Sequence, residues 1–223
     1  MPMVSEYMNL HQPEKILDCP AGKGWLVKEI NYSATLHGID LYESGSEAYD
    51  DFFVQDLDRG INLKEQEYDA IVSCEGIEHL ANPLLFLSSA FTILNKGGHI
   101  VITTPNTWYP GSKVKYLMNG FFPSFPSLIG KIKLGTHMHI MPWTFPQLYI
   151  YLKLAGFTEI TIHSLNQEKP KHFYEKLLGF PQKKYCQRKL KKSATEEEHH
   201  YWMQCLSDDS LFGRRLAITA RKV

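Results

Sequence analysis

The chain has 223 residues, of which 43% are hydrophobic, enough apolar material for the core of one α/β domain. Its 24 lysines and arginines balance 24 aspartates and glutamates, so no overall field attracts nucleic acid or an acidic membrane, and such binding would need a local patch. No run of about 18 apolar residues and no signal-like start occurs, so we expect neither a transmembrane segment nor a signal peptide.

The four cysteines, Cys19, Cys74, Cys186 and Cys205, show neither a CxxC pair nor the spacing of a metal finger. Cys19 and Cys74 fall at the ends of predicted buried strands, where a reduced thiol serves as a small apolar side chain. We therefore expect reduced thiols and a cytoplasmic protein.

Strand-like and helix-like segments alternate along the chain in the manner that predicts a mostly parallel sheet. A first helix is expected to begin after Gly24. A second, capped by Asn82, is expected to end at the glycine pair that starts at Gly97, and a third to run from its cap at Thr144 to Gly156. Strands are predicted over residues 15–19, 35–41, 52–57, 68–74, 98–104, 157–164 and 214–222.

Two segments are longer than ordinary connections. Residues 107–143 are rich in proline, glycine and aromatic residues, which predicts a packed lid. Residues 166–212 are charged, with helices expected near 172–179 and 195–206. We expect residues 1–223 to form a single domain that carries these two insertions.

Residues 16–24 are the most informative segment and read Ile-Leu-Asp-Cys-Pro-Ala-Gly-Lys-Gly. Two apolar residues end in Asp18, and Gly22 and Gly24 allow the following backbone to approach a ligand closely. A negative charge beside such a loop disfavours a phosphate and favours a ligand that carries an ammonium group. A dinucleotide-binding loop would also need a third glycine where this chain has Val27.

Further acids stand at the ends of the next predicted strands. Asp40 ends the second strand, Asp56 ends the third, and the fourth leads into Glu75-Gly-Ile-Glu78-His79. Ligands of open parallel sheets bind outside the carboxyl ends of the strands, so we expect these side chains to gather at one edge. A single aspartate there is more often a cap or turn residue, whereas three at successive strand ends indicate a site.

This series resembles the motifs of class I S-adenosylmethionine-dependent methyltransferases over residues 15–106, and again in the helix at 144–155. The resemblance implies a Rossmann-like α/β fold with a seven-stranded, mostly parallel sheet, an antiparallel last strand and helices on both faces. It also implies a lid insertion after the fifth strand. The chain departs from the family's pattern at Pro20, which replaces the first loop glycine and removes one amide from contact with the cofactor.

The resemblance implies roles for individual residues toward the cofactor, S-adenosylmethionine. The loop backbone from Ala21 to Gly24 would lie against the methionine moiety, with Asp18 near its ammonium group. Asp40 would accept hydrogen bonds from both ribose hydroxyls, and Asp56 would accept one from the adenine amino group.

The resemblance further implies that Leu41 and Leu57 enclose the adenine ring, and that Cys74 and Glu75 line the floor below the sulfonium. The complete set of implied cofactor-binding residues is Asp18, Cys19, Ala21, Gly22, Gly24, Asp40, Leu41, Asp56, Leu57, Cys74 and Glu75.

Glu78 and His79 follow the expected cofactor floor and are the candidate catalytic residues. Methyl transfer is a direct displacement, so the protein chiefly aligns the acceptor and removes its proton. His79 is the candidate general base because an unperturbed imidazole titrates near neutrality. A hydroxyl acceptor needs such a base, whereas an amine is nucleophilic without one.

The string from Glu75 to His79 is similar to one in ubiquinone-pathway O-methyltransferases and in small-RNA 2′-O-methyltransferases, where it is associated with a divalent metal. That resemblance implies a candidate metal site of Glu75, Glu78, His79 and His139. In the alternative interpretation, Glu78 and His79 only order the loop, His139 braces the lid and no metal is bound.

The resemblance favours an enzyme that methylates a hydroxyl of a small molecule or a glycan intermediate. Residues 211–222 are similar to the tails of bacterial surface-glycan methyltransferases. An RNA 2′-O-methyltransferase with a metal-assisted site is one alternative, favoured by lid lysines such as Lys113 and Lys115 but not by the neutral net charge. A non-catalytic module that binds S-adenosylmethionine is the other, and the sequence indicates no oligomeric state.

Overall fold

The computed structural model describes residues 2–63, 67–123, 138–165, 170 and 172–223 of the chain. The strands are β1 Lys15–Asp18, β2 Thr35–Asp40, β3 Asp51–Val54, β4 Tyr68–Cys74, β5 Leu94–Pro105, β6 Thr158–Ile162 and β7 Arg215–Arg221. The helices are α1 Pro2–His11, α2 Trp25–Glu29, α3 Pro83–Ile93, α4 Pro110–Asn119, α5 Phe145–Ala155, α6 Phe173–Lys191, α7 Glu196–Leu206 and α8 Asp208–Phe212.

The strands form one sheet in the order β3-β2-β1-β4-β5-β7-β6. Pairing is parallel from β3 through β5, whereas β7 is antiparallel to both β5 and β6. Among the strands that the structure describes, β7 alone runs against the others, which confirms the expected topology. The strand order reverses between β1 and β4, so the crevice at their carboxyl ends is where a sheet of this kind binds its ligand.

Apolar side chains cover both faces of the sheet and form two cores. Successive residues of β1 point to opposite faces, so Ile16 packs with Met8 of α1 in one core and Leu17 packs with Phe86 of α3 in the other. Both residues are fully buried. Since the central strands are covered on both faces, polar side chains reach solvent only at the strand ends, and the acids of the sequence motifs lie there.

The structure confirms the predicted side-chain cap at Thr144 but not the one at Asn82. The Thr144 hydroxyl accepts a hydrogen bond from the Gln147 N–H (3.2 Å) as expected, and Gly156 ends α5 with φ of +105°. Asn82 precedes α3, but its side-chain amide donates to the Asp58 carbonyl (3.2 Å) and does not cap the helix.

Helix α3 also ends earlier than predicted. It stops at Ile93, and the glycine pair that starts at Gly97 lies within β5. The reason is that Leu94 already pairs with Tyr68 on β4, so the sheet captures the chain before the glycines are reached.

The segments around the two long insertions contain more helix than the sequence pattern indicates. α4 lies inside the 107–143 segment, and α6 continues well beyond residue 179 and is followed by both α7 and α8. In the described parts of the chain, no helix has both the length and the apolar composition needed to cross a membrane. That residues 1–223 form a single domain stays a prediction.

Candidate active site

The loop that follows β1 is held over the ends of β1 and β2. Gly22 and Gly24 have φ of +56° and +68°, a region that residues with side chains rarely adopt. The Ala21 N–H donates to the Ile39 carbonyl (2.8 Å), and the Gly22 N–H donates to Oδ2 of Asp40 (2.9 Å). The loop backbone is therefore fixed against the carboxyl end of β2.

Gly24→Ala is expected to lower the free energy of unfolding by about 2–5 kcal/mol, since backbone strain and overpacking add. A Cβ at Gly24 would lie 2.7 Å from Cβ of Ala48. Gly22→Ala is the matched control, because its φ is similar but nothing lies within 4 Å of the added Cβ. Urea unfolding measures both variants, and equal losses would contradict the close contact at Gly24.

Asp18 ends β1 as predicted and is completely buried. Oη of Tyr49 donates to its Oδ2 (2.7 Å), while its Oδ1 has no hydrogen-bond partner among the described residues. Burial raises the pKa of Asp18 to about 8; the Tyr49 hydrogen bond opposes that rise and the charge of Asp40 adds to it. An orphaned buried acceptor beside the loop fits a ligand with an ammonium group, which would satisfy it and favour the ionised form.

Asp40 ends β2 as predicted and is partly exposed. Each of its oxygens accepts one backbone N–H, from Gly22 (2.9 Å) and from Tyr42 (3.2 Å). A carboxylate has about four lone-pair positions, so both oxygens retain capacity for the two ribose hydroxyls.

Asp56 does not end β3, which stops at Val54, so the prediction of a strand to residue 57 is wrong. Its Oδ1 accepts the Asp58 N–H (3.1 Å) and caps a single 3-10 turn, because a short acceptor side chain satisfies the exposed amide there. Leu41 leaves 46% of its surface exposed, whereas Leu57 is buried in the core. Leu41 is therefore the side chain accessible to an adenine ring, and enclosure by both leucines stays a prediction.

Cys74 and Glu75 form the end of β4. Glu75 has φ of +49°, a strained conformation for a residue with a side chain and one that clusters at ligand sites. Its N–H donates to the Thr103 carbonyl (2.9 Å), and its carboxylate lies near the Thr103 hydroxyl (3.3 Å) and Nε of Arg215 (3.5 Å). Burial raises the pKa of Glu75, and Arg215 opposes the rise.

Gly76 joins this floor to the cofactor loop. A Cβ at Gly76 would collide with the Pro20 ring, so the two segments are in direct contact. Cys19 and Ala21, on either side of Pro20, are completely buried. The residue that departs from the family's pattern thus packs against the segment that carries the candidate catalytic residues.

Glu78 is only 1% exposed. The Thr104 hydroxyl donates to its Oε2 (2.9 Å), while its Oε1 has no hydrogen-bond partner in the described parts of the chain. Its carbonyl accepts the N–H groups of Ile140 (2.9 Å) and Met141 (3.0 Å), which ties the far end of the lid segment to the site. Burial raises the pKa of Glu78 to about 7, and the charge of Glu75 adds to the rise.

The raised pKa of Glu78 predicts a pH-dependent stability. The folded protein binds this proton more tightly than the unfolded chain, so stability is expected to fall as the pH rises from about 4.5 to about 7. Glu78→Gln has no carboxyl to titrate at this position. The decline in its free energy of unfolding over this pH range is therefore expected to be smaller by about 3 kcal/mol. Urea unfolding of both proteins below and above this pH range measures the difference, and an unchanged pH slope in the variant would contradict a buried, protonated Glu78.

The ring of His79 is oriented by the lid segment. Its Nδ1 lies 2.9 Å from the Met138 carbonyl, and because a carbonyl only accepts, Nδ1 carries the proton. The lone pair of the neutral ring is then on Nε2, as a general base or a metal ligand requires. The His139 ring stands edge-on at 4.8 Å between centroids, and burial, with His79 beside it, lowers the pKa of His139.

Glu78, His79 and His139 each offer one ligand atom, and these atoms lie within 4.8 Å of one another. Carboxylate and neutral imidazole together suit a divalent transition metal. Ligands about 2.0–2.2 Å from an ion are at most about 4.4 Å apart, so small side-chain movements would complete the site. Glu75 lies outside this cluster, and its part in a metal site stays a prediction.

The aromatic residues in the described part of the lid segment, residues 107–143, lie in different environments. Trp143 is completely buried in the core, whereas Tyr116 and Phe122 stack on each other at 4.5 Å. The Thr107 hydroxyl donates to the Trp143 carbonyl (2.8 Å) and joins the two ends of the segment. An aromatic acceptor pocket stays a prediction, because Phe125, Lys131, Lys133 and His137 lie outside the described residues.

Several residues touch the site without having been singled out from the sequence, among them Tyr49, Gly76, Met138 and Arg215. Arg215 begins β7, and only the antiparallel direction of that strand brings its first residue to the carboxyl edge of the others. The antiparallel direction expected for the last strand is the sequence signal that could have identified Arg215. Tyr49 lies between β2 and β3 in no recognisable pattern.

A sheet of this order, with a glycine loop after β1 and acids at the strand ends, defines a class I S-adenosylmethionine-dependent methyltransferase. A family profile described as a methyltransferase domain matches residues 4–162. The chain belongs to this methyltransferase domain family.

Similar proteins agree with this class. The chain is 27% identical over 137 residues to the mitochondrial ubiquinone biosynthesis O-methyltransferase of Rattus norvegicus, a match that covers 55% of this chain and 38% of the relative. The match therefore spans well under half the length of that relative.

Solved structures share the fold at low sequence identity. A SAM-dependent methyltransferase from Archaeoglobus fulgidus is 18% identical with a TM-score of 0.55, covering 99% of this chain and 94% of that one. Human N-acetylserotonin methyltransferase in complex with SAM is 14% identical with a TM-score of 0.55, covering 99% and 51%. Phosphoethanolamine N-methyltransferase 2 of Haemonchus contortus in complex with S-adenosyl-L-methionine is 16% identical with a TM-score of 0.52, covering 94% and 48%.

Proposed function

We propose that this chain transfers a methyl group from S-adenosylmethionine to a hydroxyl oxygen of a small-molecule or glycan acceptor. The observation that carries the proposal is the hydrogen bond from Nδ1 of His79 to the Met138 carbonyl, which leaves the basic lone pair of the ring on Nε2. An amine acceptor would not need this base. The similarity to an O-methyltransferase of the ubiquinone pathway supports transfer to oxygen, whereas the acceptor of that protein is not carried over.

The cofactor supplies a methyl group activated by its positive sulfur. The chain's own contribution is to bind and orient: Asp18 would face the ammonium group, Asp40 the ribose hydroxyls and Asp56 the adenine amino group. His79 would take the proton from the acceptor hydroxyl as the oxygen bonds to the methyl carbon and the carbon–sulfur bond breaks, with S-adenosylhomocysteine as the leaving group. Glu78, one of whose carboxylate oxygens lies within 4.8 Å of a ring nitrogen of His79, would stabilise the imidazolium that results.

A second candidate is metal-assisted transfer, which the cluster of Glu78, His79 and His139 favours. A divalent ion held by these residues would lower the pKa of a bound acceptor hydroxyl. In that case His79 is a ligand and not the base. Removal of metal with EDTA followed by readdition separates the two: full activity in the metal-free protein overturns the metal site, and loss restored by Mg²⁺ or a transition metal overturns the role of His79 as base.

A methyl-transfer screen with radiolabelled S-adenosylmethionine tests the proposal. The acceptors are sugars, quinol-like phenols and short RNAs, with primary amines as the comparison. Labelling of a sugar or phenol is expected. Labelling of RNA alone would assign the chain to ribose methylation, and labelling of nothing, in a protein that binds the cofactor, would favour a non-catalytic binding module.

A further inference from the structure

Helix α4 contacts helix α6 at its start, and most of the remaining residues of both helices are exposed. Pro110 lies beside Gly179, and Gly111 lies beside Glu175, so the start of α4 packs on the first turns of α6. α6 turns Glu175, Gly179 and Cys186 inward, where they are buried. The opposite side of α6 and nearly all of α4 face solvent. We call these solvent-facing side chains the basic–apolar face.

Large apolar side chains dominate this face. Leu117 and Phe173 are each 86% exposed, Met118 is 81% exposed and Leu177 is 70% exposed. Scattered single apolar residues are ordinary, but this many on two neighbouring helices indicate an interaction surface. The other exposed apolar residues of the two helices are Val114, Tyr116, Tyr174, Leu178, Phe180 and Tyr185.

The exposed charges of these two helices are all positive. α4 contains no acid, and the one acid of α6, Glu175, is buried and paired with Arg214 (2.6 Å). The chain as a whole is neutral, so this concentration of charge is local. The exposed basic residues are Lys115 on α4 and Lys176, Lys183, Lys184, Arg188, Lys189 and Lys191 on α6.

We propose that the basic–apolar face binds the surface of a lipid bilayer that contains anionic lipid. Exposed Leu, Met and Phe flanked by lysine are the composition of helices that lie in a membrane interface, where apolar side chains enter the acyl boundary and lysines meet lipid phosphates. Charge complementarity favours an anionic bilayer over the other possible binding partners. A second copy of the chain would set lysine against lysine, and nucleic acid bases stack on aromatic rings but not on Leu117 or Met118.

The face is joined to the carboxyl edge of the sheet. The Gln182 amide of α6 donates to the Trp108 carbonyl (3.0 Å), and the Asn106 amide donates to the Ser210 and Gly213 carbonyls (2.9 and 2.8 Å). Trp108 and Asn106 directly follow β5. Bilayer binding would thus place the acceptor side of the candidate active site near the lipid surface. The proposal does not rest on the acceptor or on catalysis.

Sedimentation of the full chain with sucrose-loaded vesicles tests the proposal. We expect binding to vesicles of phosphatidylcholine with phosphatidylglycerol, weak binding to phosphatidylcholine alone, and a decline with added salt. Leu117→Glu with Phe173→Glu, and separately Lys183→Glu with Lys184→Glu, are each expected to lower the bound fraction at least about tenfold. Both pairs are exposed, so circular dichroism is expected to match wild type.

Leu10→Glu is the matched control. Leu10 is 78% exposed on α1, which packs on the opposite face of the sheet, so its replacement is expected to leave vesicle binding unchanged. Absence of vesicle binding by the wild-type chain, or equal loss in the control, would overturn the proposal. A concentration-dependent dimer that Leu117→Glu with Phe173→Glu dissociates, without vesicle binding, would assign the face to a second copy, and RNA binding without vesicle binding would assign it to nucleic acid.

Discussion

Replacing His79 with alanine is expected to lower kcat for methyl transfer by about 10²–10⁴-fold while the affinity for S-adenosylhomocysteine stays near that of wild type. The Nδ1 proton of His79 is held by the Met138 carbonyl, so Nε2 is the atom that would accept the hydroxyl proton. No contact of the ring with the cofactor loop is needed for this role. Steady-state kinetics with the acceptor found by the screen, together with titration calorimetry, measure both quantities.

His199→Ala is the control for this variant, because His199 is exposed on α7. Its kcat is expected to equal that of wild type. An unchanged kcat in His79→Ala would contradict the assignment of His79 as the general base. A loss of cofactor affinity as large as the loss of kcat would instead assign His79 to binding.

Asp40→Ala is expected to weaken the binding of S-adenosylhomocysteine by about 1–3 kcal/mol, or about 5–150-fold. The variant removes the acceptor for the ribose hydroxyls, and it also removes the partner of the Gly22 N–H, which holds the loop against β2. Titration calorimetry gives the dissociation constant directly.

Asp208→Ala serves as the control, because Asp208 is exposed in the first turn of α8. Its affinity for S-adenosylhomocysteine is expected to stay at the wild-type value. If Asp40→Ala binds as tightly as wild type, the ribose contact assigned to this carboxylate is wrong.

The central part of the fold follows from local sequence patterns. β1, β2 and β4 are apolar runs that end in Asp18, Asp40 and Cys74, within one residue of their predicted ends. Each run is bounded by turn residues, and burial on both faces requires the apolar composition that marks it. Asp18 and Asp40 therefore lie at the same edge of the sheet, as predicted.

The errors arise where tertiary contacts override local pattern. The glycine pair at Gly97 is a reasonable helix stop, but sheet pairing at Leu94 ends α3 first. α4 and the extension of α6 stand out weakly in the sequence because their solvent-facing sides carry leucine, methionine and phenylalanine, which blurs the amphipathic period. Composition alone did not show that these apolar residues share a face with the lysines.

The site is less predictable than the fold because its polar contacts join distant segments. Tyr49 reaches Asp18, Met138 orients His79, and the first residue of β7 places Arg215 beside Glu75. No spacing rule connects these pairs along the chain. The sequence motifs identify the acids at the strand ends, whereas the partners that set their protonation come only from the fold.

Titration calorimetry of the wild-type chain with S-adenosylhomocysteine tests whether the carboxyl edge of the sheet binds the methyl donor. We expect saturable binding at one site and no binding of NAD⁺, because Asp18 at the end of β1 offers a pyrophosphate no positive charge and repels it when ionised. In addition, Val27 replaces the third glycine of a dinucleotide loop. Undetectable binding of S-adenosylhomocysteine by the folded protein, or binding of NAD⁺ in its place, would contradict this expectation.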